Sequence, residues 1–464
     1  MNRLLAVIIL SSLSKVADAT SYHYEITFNQ HLNHSSTQIC TDSPTDLVSG
    51  NPRHEAFPAL ANSKGPFTRR IPAQLFENGC ITIGQTLNPD SEDWRQQRRS
   101  IITAGTDIVI PISRWLWRPE TYTAADKIEI SFNLPEGANI SSPYPGQHMN
   151  SITIDQGARF NWSGRLAIGY FTEQQIQTGH DHFRLSMIGG LQGQRPDLIK
   201  WIEESAFTAT SAFGRYPISG NQVLVIPIGH EKEAIPWGEV QRQGAPAVHF
   251  FVDQHRSLSE FRADWTGSHE FSHLLHPYID GRAGWFYEGI ASYFQNISRA
   301  QTGLITSQQA WNKLHRGFQR GLNRQRGRTL PNASNYMQMY WGGAAYALIV
   351  DVLLRTESDG SKTLASALET LNRCCRDDLK RWRLEELLSA LDHHSGSDVF
   401  SSMYQKEVKH RVFPDVYSAL ARLGITAAGN SVDISQDPEF SALRDAITST
   451  SKTPITVSES NSRP

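Results

Sequence analysis

The feature that most constrains the fold is a pair of histidines four residues apart, followed by a glutamate in an aromatic stretch. His269 and His273 flank Glu270 in the pattern His-Glu-x-x-His, and Glu288 lies in Trp-Phe-Tyr-Glu-Gly. Residues four apart share one face of a helix, so both imidazoles can face one cation. A second helix starting near Trp285 could bring in Glu288 as a third ligand. The pattern therefore predicts two adjacent helices that hold one metal ion.

The expected ion is a single Zn²⁺ in an open site. Two imidazoles and one carboxylate leave the fourth tetrahedral position to water or a substrate carbonyl, as in catalytic zinc sites. Glu270 lies one step round the helix, where it could accept a proton from the attacking water. The alternative is an exposed amphipathic helix with two solvated histidines. The apolar and aromatic neighbours argue against it, because an unpaired buried carboxylate such as Glu288 is costly.

The chain resembles the gluzincin metallopeptidases, the clan of thermolysin and aminopeptidase N, in the sequences HEFSH and WFYEGIASYF. It resembles more closely the bacterial glycyl aminopeptidase family, whose members carry similar HE-x-x-H and WF-x-EG-x-x-x-Y stretches. The spacer between His273 and Glu288 is shorter here than is usual in either group, which affects the loop Tyr278–Gly284 beside the metal. The resemblance implies a zinc metallopeptidase, and the expected activity is that of an aminopeptidase acting on peptide substrates.

Two further site residues follow from this resemblance. Gluzincin aminopeptidases carry, just before the edge strand, a glutamate that binds the free amino group of the substrate, and Glu239 matches this acidic position. They also carry a tyrosine at the start of an apolar helix whose hydroxyl stabilises the oxyanion, and Tyr340 matches it. The alternatives are a solvated loop carboxylate and a core aromatic residue. Ser292, one turn beyond Glu288, is expected to orient a metal ligand.

The amino terminus has the features of a secretory signal peptide. Arg3 precedes the apolar run Leu4–Leu10, and Ala17-Asp18-Ala19 is a small-x-small cleavage site, so residues 1–19 are expected to be removed. The apolar run is too short to span a bilayer. We therefore expect an exported protein, periplasmic or secreted, without stable insertion into a membrane.

The charge of the chain gives no reason to expect nucleic acid as a partner. The formal net charge is −2 and the pI is about 6.8, so no strong field would attract a polyanion. Basic residues cluster on one amphipathic helix, 307–323, and just after it: Lys313, Arg316, Arg320 and Arg324. They are expected to form a solvated face.

The four cysteines fall into two pairs along the chain. Cys40 and Cys80 both lie in the amino-terminal β-rich region, and in an oxidising compartment they are the natural disulfide. Cys374 and Cys375 are adjacent and resemble no metal-binding motif. Adjacent cysteines bridge only with strain, so free thiols or a pairing elsewhere remain open.

The hydrophobic pattern predicts a multidomain protein. Residues 20–165 alternate apolar and polar side chains in short runs, which is typical of a β-sandwich. Residues 166–330, expected to open with a strand at Leu166–Phe171, mix strands and helices around the histidine motif, which suits a thermolysin-like α+β domain. Residues 331–448 predict a carboxy-terminal helical region. Residues 449–464, rich in Ser, Thr and Pro, are expected to be a disordered tail.

Two other functions remain open at this stage. The chain could be an exported binding or scaffold protein that keeps the fold but does not cleave, and the poor match around Glu239 is its best support. It could also be a zinc hydrolase of a non-peptide substrate, because related folds host other hydrolytic chemistry. Zinc content, measured together with turnover of a mixed peptide library, separates the scaffold from the peptidase.

Overall fold

The computed structural model describes most of the chain between residue 19 and residue 449. The described residues are 19–49, 70–89, 91–123, 125–144, 150–154, 162, 164–191, 195–242, 246–378 and 380–449. The predicted signal peptide, except Ala19, and the predicted tail, except Ser449, lie outside them.

Short strands make up the amino-terminal region, as the alternating pattern predicts. In β1, for example, every second side chain is buried. The strands and two short helices are β1 (Ser21–Phe28), β2 (His34–Thr41), β3 (Leu47–Ser49), β4 (Arg70–Ile71), β5 (Cys80–Thr86), α1 (Trp94–Gln97), β6 (Ile102–Ala104), β7 (Asp107–Pro111), α2 (Ile112–Trp115), β8 (Trp117–Pro119), β9 (Lys127–Asn133), β10 (Asn139–Ser141), β11 (Ser151–Ile154) and β12 (Arg165–Gly169).

Two sheets of these strands pack around a common core. One has the order β11-β9-β1-β2-β5 and the other β10-β12-β7-β6, while β4-β3-β8 forms a smaller third sheet. Tyr24 and Ile130 of the first sheet and Ile110 and Ile168 of the second belong to one hydrophobic cluster. Because both inner faces are apolar and meet, this part of the chain has the packing of a sandwich.

The predicted boundary at residue 165 needs correction. It falls at the start of β12, which pairs with β7 of the amino-terminal sheets and was expected to open the next domain. Alternation alone identifies a strand but not the sheet that it joins. The outer face of this sheet, with Val109 and Ala167, packs against the central sheet through Leu224 and Phe251.

A five-stranded mixed sheet forms the centre of the chain. Its strands and covering helix are β13 (Glu173–Thr178), β14 (Asp181–Met187), α3 (Pro196–Phe213), β15 (Gln222–Pro227), β16 (Trp237–Gln241) and β17 (Ala247–Val252). The order is β13-β14-β15-β17-β16, with β14, β15 and β17 parallel and both edge strands antiparallel. The central strands read as continuous apolar runs because both faces are covered. This leaves β16 as an edge strand beside open space.

The rest of the chain is mainly helical. The elements are α4 (Leu258–Ala263), α5 (Thr266–Ser272), α6 (Gly284–Gln301), α7 (Ser307–Arg324), α8 (Tyr336–Glu357), α9 (Leu364–Cys375), α10 (Leu384–Ser395), α11 (Val399–Met403), α12 (Val416–Arg422), a hairpin of β18 (Ile425–Ala428) and β19 (Ser431–Ile434), and α13 (Pro438–Thr448). Among the described residues, α8 alone is long and apolar enough to cross a membrane. Its apolar stretch is 78% buried within the structure, as in a core helix.

Two glycines bring α6 and α8 into direct backbone contact. A Cβ atom added to Gly343 would lie 1.8 Å from the carbonyl oxygen of Trp285, and one added to Gly289 would lie 2.3 Å from the Cα of Gly343. Any side chain larger than hydrogen would separate the helices. The contact fixes the position of α8, and with it Tyr340, relative to the helix that carries Glu288.

The structure contains two disulfides. Cys40–Cys80 joins β2 to β5 and confirms the predicted pair. Cys374 and Cys375, whose state the sequence left open, are bonded to each other at the end of α9. The Nε2 atom of His394 lies 3.4 Å from the sulfur of Cys374.

Candidate active site

Two imidazoles and a carboxylate converge where α5 meets α6. His269 lies on α5, His273 begins the 3-10 turn that continues it, and Glu288 lies in the second turn of α6. The Nε2 atoms of His269 and His273 are 3.2 and 3.6 Å from Oε2 of Glu288. In a tetrahedral zinc site with bonds of about 2.0–2.1 Å, ligand atoms lie about 3.3 Å apart. The spacing of these three groups therefore fits zinc.

Hydrogen bonds on the far side of each imidazole leave its Nε2 free for a metal. Nδ1 of His269 is 2.7 Å from Oε1 of Gln295, and Nδ1 of His273 is 3.1 Å from Nε2 of His276. His276 Nδ1 lies 2.8 Å from the Pro277 carbonyl oxygen. A carbonyl accepts only, so His276 carries its proton on Nδ1 and accepts from His273, while Gln295 accepts from His269. Both ligating nitrogens then present lone pairs to the same point.

The charges at this point suit a cation. Burial alone would raise the pKa of the Glu288 carboxyl, but the charges and hydrogen bonds of His273 and His269 outweigh it and hold this pKa well below its usual range. Burial lowers the pKa of His273, whereas at His269 the effect of burial is outweighed by the hydrogen bond to Glu288 and the charge of Glu270, which raise its pKa. A metal ion would displace the proton that the imidazoles share with Glu288, because imidazole binds a metal in its neutral form. A buried carboxylate that faces two nitrogen lone pairs is a donor set that zinc satisfies.

Glu270 lies beside these ligands but outside the set that could hold the metal. Gly238 of β16 passes so close that a Cβ atom there would lie 2.5 Å from Cγ of Glu270 and 2.8 Å from Cγ2 of Thr266. Burial raises the pKa of Glu270 to about 8, and the negative charges of Glu288 and Glu239 oppose its ionisation further. A carboxyl group with this pKa can both accept and release a proton near neutral pH.

Tyr340 packs against His269. Its ring is parallel to that of His269, with the centroids 5.7 Å apart. Burial, and then the charge of Glu288 and a hydrogen bond to it, raises the pKa of the Tyr340 hydroxyl above its usual value. The hydroxyl therefore stays protonated and can donate a hydrogen bond at the site.

Glu239 lies within the edge strand β16, not before it as the sequence suggested, and lines the same cavity. Its Oε1 accepts from Nε of Arg165 at 2.8 Å and lies 3.3 Å from Nδ1 of His249, while Oε2 accepts from Nε1 of Trp237 at 3.2 Å. Burial would raise the pKa of Glu239, but Arg165 and then His249 outweigh it and hold it well below its usual range. The carboxylate is thus ionised and fixed in orientation.

A cavity of about 800 Å³ joins these groups. The loop after the histidines forms part of its wall through Tyr278, Ile279 and Gly281. Ile279 bridges to Trp382 of the carboxy-terminal region, which holds this short loop in place. The volume is sufficient for a few residues of a peptide.

Three supporting residues differ from the sequence prediction. Ser292 was expected to orient a ligand, but its hydroxyl is buried without a hydrogen-bond partner among the described residues. Gln295, which the sequence analysis missed, makes that contact to His269 instead. Gln295 follows Glu288 by seven residues, two helical turns on the same face, and this spacing was the signal available. Arg165 was also missed, because it comes from β12, far away in the sequence.

Comparison with known proteins finds a family match over part of the chain and a similar fold over most of it. Residues 276–346 match the model of the M61 glycyl aminopeptidase family, a segment that contains Glu288 and Tyr340. An aminopeptidase N family protein from Idiomarina loihiensis has a similar fold, with a TM-score of 0.65 at 16% identity over 90% of this chain and 82% of that chain. The chain is similar to gluzincin-type aminopeptidases.

The other comparisons add little to this gluzincin-type assignment. An M1 zinc metallopeptidase from Deinococcus radiodurans is 14% identical over 86% of this chain and 94% of that chain, and its TM-score of 0.48 is too low to support an argument. No curated protein matches the sequence. The family match and the fold together support a multidomain chain of the peptidase type.

Proposed function

We propose that this gluzincin-type chain is an exported zinc-dependent aminopeptidase. The observation that carries the proposal is the convergence of His269, His273 and Glu288 on one point of a cavity, with Glu270 beside them and outside the ligand set. Glu239, an ionised carboxylate on the edge strand, lines the same cavity. A chain that only bound a structural ion would need neither Glu270 nor Glu239 beside the ligands.

The chemistry can be assigned to individual groups. Zinc bound by the three ligands would polarise the scissile carbonyl and lower the pKa of water. Glu270 would take the proton of the attacking water and pass it to the leaving amine, because it lies in the same cavity as the three ligands and outside the set that could hold the metal. Tyr340, whose hydroxyl stays protonated, would donate to the oxyanion of the transition state.

The aminopeptidase part of the proposal rests on Glu239. A carboxylate held in one orientation by Arg165, His249 and Trp237 can accept hydrogen bonds from a substrate ammonium without reorganising. Arg165 offsets part of its charge. Glu239 would therefore select a free amino terminus mainly through directed hydrogen bonds.

Two variants and one pair of substrates test the proposal. Glu270→Gln should retain zinc and lose hydrolysis, whereas Glu288→Ala should lose zinc affinity; metal content and peptide turnover are measured on both. Full activity in Glu270→Gln would show that Glu270 is not the general base. A purified wild-type protein without stoichiometric zinc would refute the proposal. A free-amine peptide is compared with its acetylated form, and equal turnover of the two would make the enzyme an endopeptidase.

Export is supported by the signal-like amino terminus and by the disulfide Cys40–Cys80, which is typical of oxidising compartments. Mass spectrometry of protein recovered outside the cytoplasm should find a mature amino terminus after Ala19. A product that retains Met1 and remains in the cytoplasm would contradict export, without bearing on the zinc chemistry.

A further inference from the structure

A second cavity, of about 300 Å³, opens next to the first. The two share Trp265 and Tyr340 as lining residues. Gln295, which accepts the hydrogen bond from His269, also lines the second cavity. The rings of Trp265 and His269 pack nearly at right angles, with their centroids 4.9 Å apart. The second cavity is therefore one side chain away from the presumed metal ligands.

Three basic residues of α7 line this cavity, and no acidic residue does. As the sequence predicted for this face, Arg316 and Arg320 are exposed and Lys313 is half-buried, and all three side chains also line the space beside Tyr340. Burial lowers the pKa of Lys313, and the neighbouring charges of Arg299, Arg316 and Arg320 lower it further. Within the described part of the chain, no carboxylate pairs with the three lining cations. Their mutual repulsion would be relieved by an anion.

A buried polar group in the same cavity also lacks a partner. The hydroxyl of Ser292 is almost fully buried, and no hydrogen-bond partner for it exists among the described residues. An unsatisfied buried hydroxyl costs about 1–3 kcal/mol unless a ligand or water meets it. Ser292 lines the cavity beside the cations. A hydroxyl donor and three positive charges therefore lie together, and no acceptor or carboxylate among the described residues pairs with them.

We propose that this basic cavity, lined by Lys313, Arg316 and Arg320, binds a carboxylate group of the peptide on the leaving-group side of the scissile bond. The assignment deepens the proposed aminopeptidase function and rests on it. Its most direct consequence is a preference for short peptides, whose terminal carboxylate lies within reach of the metal centre. An acidic side chain just beyond the cleaved bond would supply the same chemistry.

In this assignment the peptide starts at Glu239 on the edge strand. Glu239 would hold the amino terminus, and one residue earlier on β16 Gly238 lies against Thr266 at the start of α5. Trp265 immediately precedes that residue and borders the basic cavity. A peptide that passes from Glu239 across the ligands toward Trp265 therefore brings its leaving-group end to the cations.

The test compares peptides that differ only in this charge. Tripeptides with a free carboxylate and with a terminal amide are assayed for kcat/KM with the zinc-loaded wild type. Their dissociation constants are also measured by calorimetry on Glu270→Gln, which should bind without cleaving. We expect the free carboxylate to be favoured by about tenfold or more in both measurements, as for a charged hydrogen bond. Amidated peptides with Glu or Gln after the cleaved bond show whether a side-chain carboxylate is accepted as well.

Variants then assign the preference to the cavity. The double variant Lys313→Gln and Arg316→Gln should bring the acid-to-amide ratio close to one, whereas Lys313→Arg with Arg316→Lys should keep most of it. Arg324→Gln is the matched control, since Arg324 is exposed on α7 and does not line the cavity. Thermal unfolding checks that each variant is folded.

The outcomes separate this inference from the proposed function. Equal treatment of acid and amide peptides by a wild type that cleaves both would overturn the carboxylate site and leave the aminopeptidase intact. A preference that survives in the double variant would also overturn it. Failure to cleave any peptide, combined with calorimetric preference for the acid form that the double variant loses, would reject the peptidase and support the site.

Discussion

Glu270 should make the metal-free protein less stable as the pH rises. Its pKa is raised from 4.5 to about 8 in the folded chain, chiefly by burial and further by Glu288 and Glu239. A carboxyl group with a raised folded-state pKa contributes stability that is fully present below its unfolded pKa and is lost as the pH rises through the folded value. The relevant window therefore runs from pH 4.5 to about pH 8.

The magnitude follows from the size of the shift. One pKa unit corresponds to about 1.4 kcal/mol, so the free energy of unfolding of the chelated protein should fall by about 3 kcal/mol between pH 4.5 and pH 7 because of this group. Glu270→Gln keeps the size of the side chain but cannot ionise. The variant should therefore gain stability relative to the wild type by about this amount across the same interval.

The assay is urea unfolding of both proteins in excess chelator at several pH values. Other titrating groups contribute to both proteins, so the quantity to compare is the difference between the two free energies of unfolding. With zinc restored, the pH dependence of this difference should largely disappear, because a divalent cation favours the ionised carboxylate. A difference that stays constant with pH in chelator would show that Glu270 has an ordinary pKa in the metal-free protein, and the reasoning from its burial would be refuted.

Two substitutions and one thiol titration test other features of the structure. Gly343→Ala should destabilise the protein by about 2 kcal/mol or more, measured by denaturant unfolding, because its methyl group would meet backbone of α6; an unchanged midpoint would mean that the helices can separate at no cost. Gln295→Ala should weaken zinc binding by about 10–100-fold in a chelator competition, since the first imidazole loses its orienting acceptor; unchanged affinity would refute that role. Thiol titration of the unfolded, unreduced protein should find no free thiol; two would show that one of the two disulfides is absent, and mass spectrometry of labelled peptides would show which one.

The ligands were predictable because the information lies in local spacing. His269 and His273 are fixed by one helical turn, and Glu288 by its place on the next helix, so the sequence pattern translates directly into geometry. The helix of Tyr340 was likewise recognisable from its apolar run. These parts of the site depend on a few residues along one stretch of chain.

What the sequence did not predict depends on long-range pairing. The alternation of β12 shows a strand but does not reveal that β7 is its neighbour, and for the same reason Arg165 gave no sign of meeting Glu239. The basic side chains of α7 are largely exposed, as predicted, but a helical period shows only which residues share a face and not that this face borders a cavity. The cavity beside Tyr340 becomes visible only when α6, α7 and α8 are placed together.

Under the proposed function, the contact between Arg165 and Glu239 would make the amino-terminal sheets part of substrate recognition. Arg165 belongs to β12, while the carboxylate that it holds belongs to the central sheet. A fragment that contains only the metal-binding helices and their sheet would keep every presumed ligand. It would lack Arg165, the cation that orients the Glu239 carboxylate. The proposed discrimination between free and blocked peptide ends would then depend on both layers, and a change on either side of their interface would alter which ends are accepted.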